Sequence, residues 1–118
     1  MLENQINLNE MLSASSNTIV QRRSIFALLA LGIIDSLDNG TISATDAIER
    51  FFHADNCLFV RAALYERSAE TLMSHGVQLP DLFMVLPPQD AQREFQRELF
   101  KMRSLCYTML EEKEELVA

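Results

Sequence analysis

At 118 residues the chain is long enough for one hydrophobic core and too short for two. With 48% apolar residues, three glycines, three prolines and no strand-like alternation, it lacks the turn every ~8–12 residues of a strand sandwich, so the expected fold is an all-α, single-domain bundle. Seventeen acids against ten bases, a net charge of −7, argue against non-specific binding to nucleic acid and against an anionic membrane surface.

The first ten residues show no basic region followed by an apolar run, so no secretory signal is read there. Cys57 and Cys106 form no Cys-x-x-Cys pair and fall in apolar periodic stretches, which implies reduced, buried thiols and a cytoplasmic setting. Residues 1–16 are polar, with Leu2, Ile6, Leu8, Met11 and Leu12 scattered among them. They predict a loosely held N-terminal arm with one turn of helix around Leu8 to Leu12, ending at an N-cap in Ser15, Ser16 or Asn17. The bundle itself is expected over 17–118.

The stretch that organises the rest is Ile25 to Ile34, which contains no polar side chain. As a helix it spans ~15 Å, half of a bilayer core, so it must be wrapped by other helices rather than by lipid. A central helix over about 18–37 follows, with Arg22 and Arg23 exposed near its start and Gly32 marking a close helix approach. Gly40 suits a left-handed stop, and Ser43 with Asp46 suits the N-cap of a second helix over 44–53. Asp55 or Asn56 caps a third helix over 57–74, which Gly76 ends; Arg61 and Arg67 on it read as exposed charges. Pro80 opens a short helix near 80–86, whose Leu82, Phe83, Val85 and Leu86 plug one end of the bundle. Pro87-Pro88 starts the last helix, over about 88–116 and ~43 Å long, with a seam at Phe95, Leu99, Met102, Cys106, Met109, Lys113 and Leu116 that Lys113 interrupts. Its middle is basic (Arg93, Arg97, Lys101, Arg103) and its end acidic (Glu111, Glu112, Glu114, Glu115), a pattern that an antiparallel copy could complement in a homodimer.

Few constellations suggest chemistry. Residues 35–46, Asp-Ser-Leu-Asp-Asn-Gly-Thr-Ile-Ser-Ala-Thr-Asp, resemble the EF-hand calcium loop: Asp35, Asn39, Gly40, Ile42 and Asp46 match its first, fifth, sixth, eighth and twelfth positions. Leu37 stands where the third position needs an oxygen, and Asp46 is shorter than the usual glutamate. Asp35, Asn39 and Asp46 are thus the nearest approach to metal ligands, and helix-capping chemistry explains every matching residue. Asp35, Asp38, Asp46 and Glu49 form an acidic patch. His53 and Cys57 are four residues apart, but His75 and Cys106 supply no second paired spacing for zinc, and Leu58-Phe59-Val60 implies a buried rather than an activated thiol. No Glu-x-x-His pair, phosphate-binding glycine loop or nucleophile–base pair is found. Met84, Met102 and Met109 read as core filler, and no cofactor and no catalytic residue is expected.

The apolar helix followed by Asn39-Gly-Thr-Ile-Ser-Ala-Thr-Asp-Ala-Ile-Glu-Arg-Phe-Phe52 resembles the start of small helical bacterial proteins, some proposed as immunity partners of secreted toxins. That resemblance implies a bacterial interaction protein and carries over no catalytic residue. Together with the charge, it makes the expected function a non-catalytic protein–protein interaction module whose acidic helical surface meets a basic toxin or nuclease. The alternative is a small-ligand or metal-sensing domain that uses the 35–46 turn or an interhelical pocket.

Overall fold

A computed structural model describes residues 4–13 and 18–117, with side chains through Glu111. Its helices are α1 (Leu8–Leu12), α2 (Ile19–Asp38), α3 (Ala44–Arg50), α4 (Ala54–Phe59), α5 (Arg67–Val85) and α6 (Pro88–Val117), with a π-helical turn at Val60–Leu64 between α4 and α5. Among the described residues there is no strand. The protein is a single-domain all-α bundle.

Three long helices carry the core. The α5–α6 hairpin is antiparallel, with His75 of α5 facing Glu98 of α6. Helix α2 lies along the other flank of α6, its C-terminal Asp38 bonded to Arg103 at 2.8 Å. Ala27, Ala30, Ile34 and Leu37 of α2 meet Leu99, Met102, Cys106 and Met109 of α6 and Leu72 and Leu79 of α5 in one buried cluster. Phe26, Phe51 and Phe52 close its α3 side, with Phe26 stacked on Phe51 at 5.9 Å and Phe51 edge-on to Phe52 at 5.2 Å.

Local chemistry sets several boundaries. Helix α2 starts at a capping box of Thr18 and Gln21, just beyond Ser15, Ser16 and Asn17, which lie outside the described residues. It ends as a Schellman motif: the Thr41 N–H donates to Ser36 O at 2.9 Å, the Gly40 N–H to Leu37 O at 3.3 Å, and Gly40 has φ 80°. Ser43 and Asp46 then cap α3 reciprocally, each side chain bonded to the other's N–H at 3.0 Å.

Several expectations need correction. The arm is not loose where the structure describes it, since Leu8 and Leu12 are fully buried. Asn56, expected as a helix cap, is instead 1% exposed and clamps the arm: it donates to Ile6 O and Phe51 O and accepts from the Leu8 N–H at 3.0 Å. The Ile6 N–H adds a bond to Arg50 O at 2.8 Å. Satisfying a buried amide at both ends is what makes this site accept the arm.

The apolar rod is also not wrapped all round. Ile34 is fully buried, but Leu28 is 59% exposed, Leu31 is half-buried and Gly32 faces open space. The neighbouring helices supply too little surface to encircle it. The close approach expected at Gly32 occurs at Gly76, where a Cβ would run into Cδ1, Cγ and Cε1 of the Phe52 ring.

Gly76 therefore does not end a helix, and no separate helix exists near 80–86. Helix α5 runs through Gly76 and Pro80 to Val85. An interior proline costs ~3 kcal/mol. Burial of Leu79, partial burial of Leu82 and an edge-on contact of Phe83 with Phe95, 5.2 Å between centroids, offset it.

The third helix, finally, is not continuous over 57–74. It breaks after the π turn at Tyr65, the one non-glycine residue with positive φ (51°) among those described. A left-handed tyrosine costs ~1–2 kcal/mol. Arg23, expected as a free charge, offsets this by donating from Nε to Leu64 O and from Nη2 to Tyr65 O, both at 2.7 Å. Each such bond is worth ~1.5–3 kcal/mol.

Candidate functional site

The 35–46 turn does not gather its oxygens. The Asn39 side-chain oxygen accepts from the Thr41 N–H at 3.0 Å and from the Thr41 hydroxyl, and Asp46 is turned onto Ser43. Those bonds to Ser43 hold the Asp46 carboxyl below its ordinary range. Asp38 is engaged by Arg103, whose hydrogen bond lowers its pKa. Asp35 and Glu49 remain exposed. Among the described residues no three His, Cys, Asp or Glu side chains converge on a common point for a metal ion.

The soft ligands are equally separated. His53 Nε2 lies 3.1 Å from Ile6 O, and the Cys57 thiol points at Phe52 O at 3.7 Å. Burial raises the Cys57 thiol pKa, only partly countered by Arg61, and pushes Cys106 up to about 12. Neither is a thiolate nucleophile at neutral pH.

His75 is elsewhere and has a partner that spacing along the chain did not reveal. Its Nδ1 sits 2.5 Å from Glu98 Oε1, while Lys101 Nζ holds Glu98 Oε2 at 3.1 Å. Burial pushes the Glu98 carboxyl up, but the hydrogen bonds from His75 and Lys101 outweigh it and leave the pKa below its ordinary value. The pair bridges α5 to α6 across 23 residues, which no short-range pattern reports.

This pair lines one of two grooves beside the end of the α5–α6 hairpin. The first, about 490 Å³, lies between α3, the α2–α3 turn and the hairpin, and is walled by Leu37, Ile42, Pro80, Phe83, Met84 and Phe95. The second, about 450 Å³, is floored by Leu79, Leu82, Val85 and Leu86 and rimmed by His75, Gln78, Asp81 and Glu98. Between them stands a ridge of α5 in which Met84 is 82% exposed, Val85 76% and Phe83 46%.

The ridge corrects two expectations: Met84 is not core filler, and Phe83 and Val85 do not fully plug the bundle. A signal was present in the sequence. Leu82 to Leu86 are five consecutive apolar residues, which on a helix point in all directions and so cannot all face one core.

The charges around the hairpin are unequal in their engagement. Arg93, Arg97 and Lys101 are held by Asp90, Glu94 and Glu98 of the same helix, and Arg103 by Asp38. Asp81 has no ion-pair partner among the described residues, and neither has Asp35 or Glu49. The basic middle of α6 is thus neutralised within the chain.

Comparison of the chain with protein-family models, with curated proteins and with solved structures returned no match. Among the described residues no helix is long and apolar enough to cross a membrane.

Proposed function

We propose that this chain is a non-catalytic protein–protein interaction module, of immunity or regulatory type, that meets a basic partner through the end of its α5–α6 hairpin. The exposed ridge of Phe83, Met84 and Val85 between two grooves carries this reading. Contiguous apolar side chains left in water beside concave surfaces are what a docking face requires. The net charge of −7 supports a basic partner such as a toxin or nuclease, because it would speed encounter. A bacterial cytoplasm is the setting in which such a pair would act.

A homodimer through α6 belongs to the same class of reading, but the bases it would draw on are engaged inside the chain. A small-ligand role keeps one point of support: the first groove falls within the ~300–1,000 Å³ of ligand pockets.

The test is selection of binding peptides from a displayed helical library against the wild-type chain and against Met84→Asp. Met84 is too exposed for that change to unfold the domain. Binders selected on the wild type should lose at least tenfold in affinity on Met84→Asp. Failure to select any binder sensitive to this change would refute the reading.

A further inference from the structure

We infer that the second groove receives a Lys or Arg side chain of the partner, so that the partner element is an amphipathic helix with a basic residue flanking its apolar stripe. This rests on the interaction reading above and adds the chemistry of the occupant.

The groove has an apolar floor and an acidic rim. Leu82, Val85 and Leu86 offer a surface for a methylene stem, and Asp81 stands on the same helix face as Val85, one turn earlier. The other rim carboxylate, Glu98, is spent on both oxygens, one on His75 and one on Lys101. Asp81 makes no hydrogen bond or ion pair with any described residue. With Glu98 and Lys101 cancelling each other, Asp81 leaves the groove with a negative charge that an arriving ammonium or guanidinium neutralises. An acidic residue arriving there would be repelled.

The secondary structure of the occupant follows from the bundle. The exposed apolar ridge and the two grooves beside it are borne on packed helices, a surface suited to helix-in-groove recognition, and among the described residues there is no strand edge for an extended peptide to join. A helix laid across the ridge places its apolar stripe on Met84 and Val85 and its flanking positions over Asp81. The same partner helix thereby reads both the ridge and the rim.

Three displayed libraries test this, sharing a randomised apolar stripe and differing only in flanking positions fixed as Lys, Gln or Glu. Each is selected against wild type, Asp81→Asn, Asp81→Lys and Met84→Asp, all four checked for a native circular-dichroism spectrum. The Lys library should yield the binders, Asp81→Asn should weaken them about fivefold, and Asp81→Lys should shift the yield to the Glu library. Binders indifferent to the flanking charge or to Asp81, yet lost on Met84→Asp, would overturn this inference and leave the interaction reading standing. No binder lost on Met84→Asp would overturn both.

Discussion

Alanine at Gly32 and alanine at Gly76 should move stability in opposite directions. Both positions are inside long helices, where Gly→Ala gains ~1 kcal/mol from backbone entropy alone. At Gly32 nothing lies within 4 Å of the new methyl, so that gain should appear nearly whole. At Gly76 the methyl would stand 2.5 Å from Cγ and Cε1 of Phe52, about 1 Å inside the ~3.5–4.0 Å of a comfortable carbon contact. The ring cannot simply swing aside, because Phe52 is 1% exposed and packed edge-on against Phe51. Overpacking of this kind costs ~1–3 kcal/mol. With one ring edge clashing, the upper figure applies, leaving a net loss of ~2 kcal/mol. For a chain of this length about 3–5 °C accompanies each kcal/mol, so Gly32→Ala should melt ~3–5 °C higher and Gly76→Ala ~6–10 °C lower than wild type. Far-UV circular dichroism with heat and with guanidinium chloride measures both. Phe52→Leu in the Gly76→Ala background should recover part of the loss. A Gly76→Ala protein as stable as wild type would refute the packing argument.

Three further outcomes are expected. Asn56→Ala strands the Leu8 N–H and the Phe51 carbonyl and leaves the Ile6 carbonyl with His53 alone, and should cost ~2–4 kcal/mol in denaturant unfolding while losing hydrogen-exchange protection at the Leu8 amide; retained protection there would show that the clamp is dispensable. Ile34→Asp buries an uncompensated carboxylate in the core and should abolish cooperative folding, whereas Leu28→Asp, on the open face of α2, should fold and melt within a few degrees of wild type. The Glu98 carboxyl has a pKa lowered from 4.5, so its ionised form stabilises the native state above that pH and this contribution fades as pH falls through the lower native value. The stability difference between wild type and Glu98→Gln should therefore shrink as pH falls below about 4.5; a difference independent of pH down to acid unfolding would contradict the pairing with His75 and Lys101.

What could be read along the chain was what neighbouring residues decide among themselves. Asn39-Gly40 and the pair Ser43 and Asp46 set a helix stop and a helix start within a few residues, and the structure places both where the sequence puts them. The seam of α6 is likewise periodic, and its buried members are the expected ones. The errors come where the deciding partner is distant. Asn56 reads as a cap until Ile6 and Leu8 arrive, about fifty residues away in the chain, to use its amide. Pro80 reads as a helix start because the burial of Leu79 and the Phe83–Phe95 contact, which outweigh its lost bond, belong to the tertiary fold. The candidate site followed the same division: the turn at 35–46 advertised oxygens that local capping consumes, while His75 and Glu98 meet only once the hairpin has closed.

The elbow at Tyr65 carries a consequence for the order of assembly. Its two carbonyls are held by a guanidinium from 41 and 42 residues upstream, while the local hold on the bend is the N-cap in which the Glu66 side chain accepts from the Ser68 N–H at 3.3 Å. A nascent segment lacking α2 keeps only that local cap against the tendency to extend α4 into α5 as one rod. The bend is then a late event, fixed when Arg23 arrives after the intervening loop has closed, and a fragment without the first forty residues should be straighter, not merely less stable, than the same stretch in the whole chain.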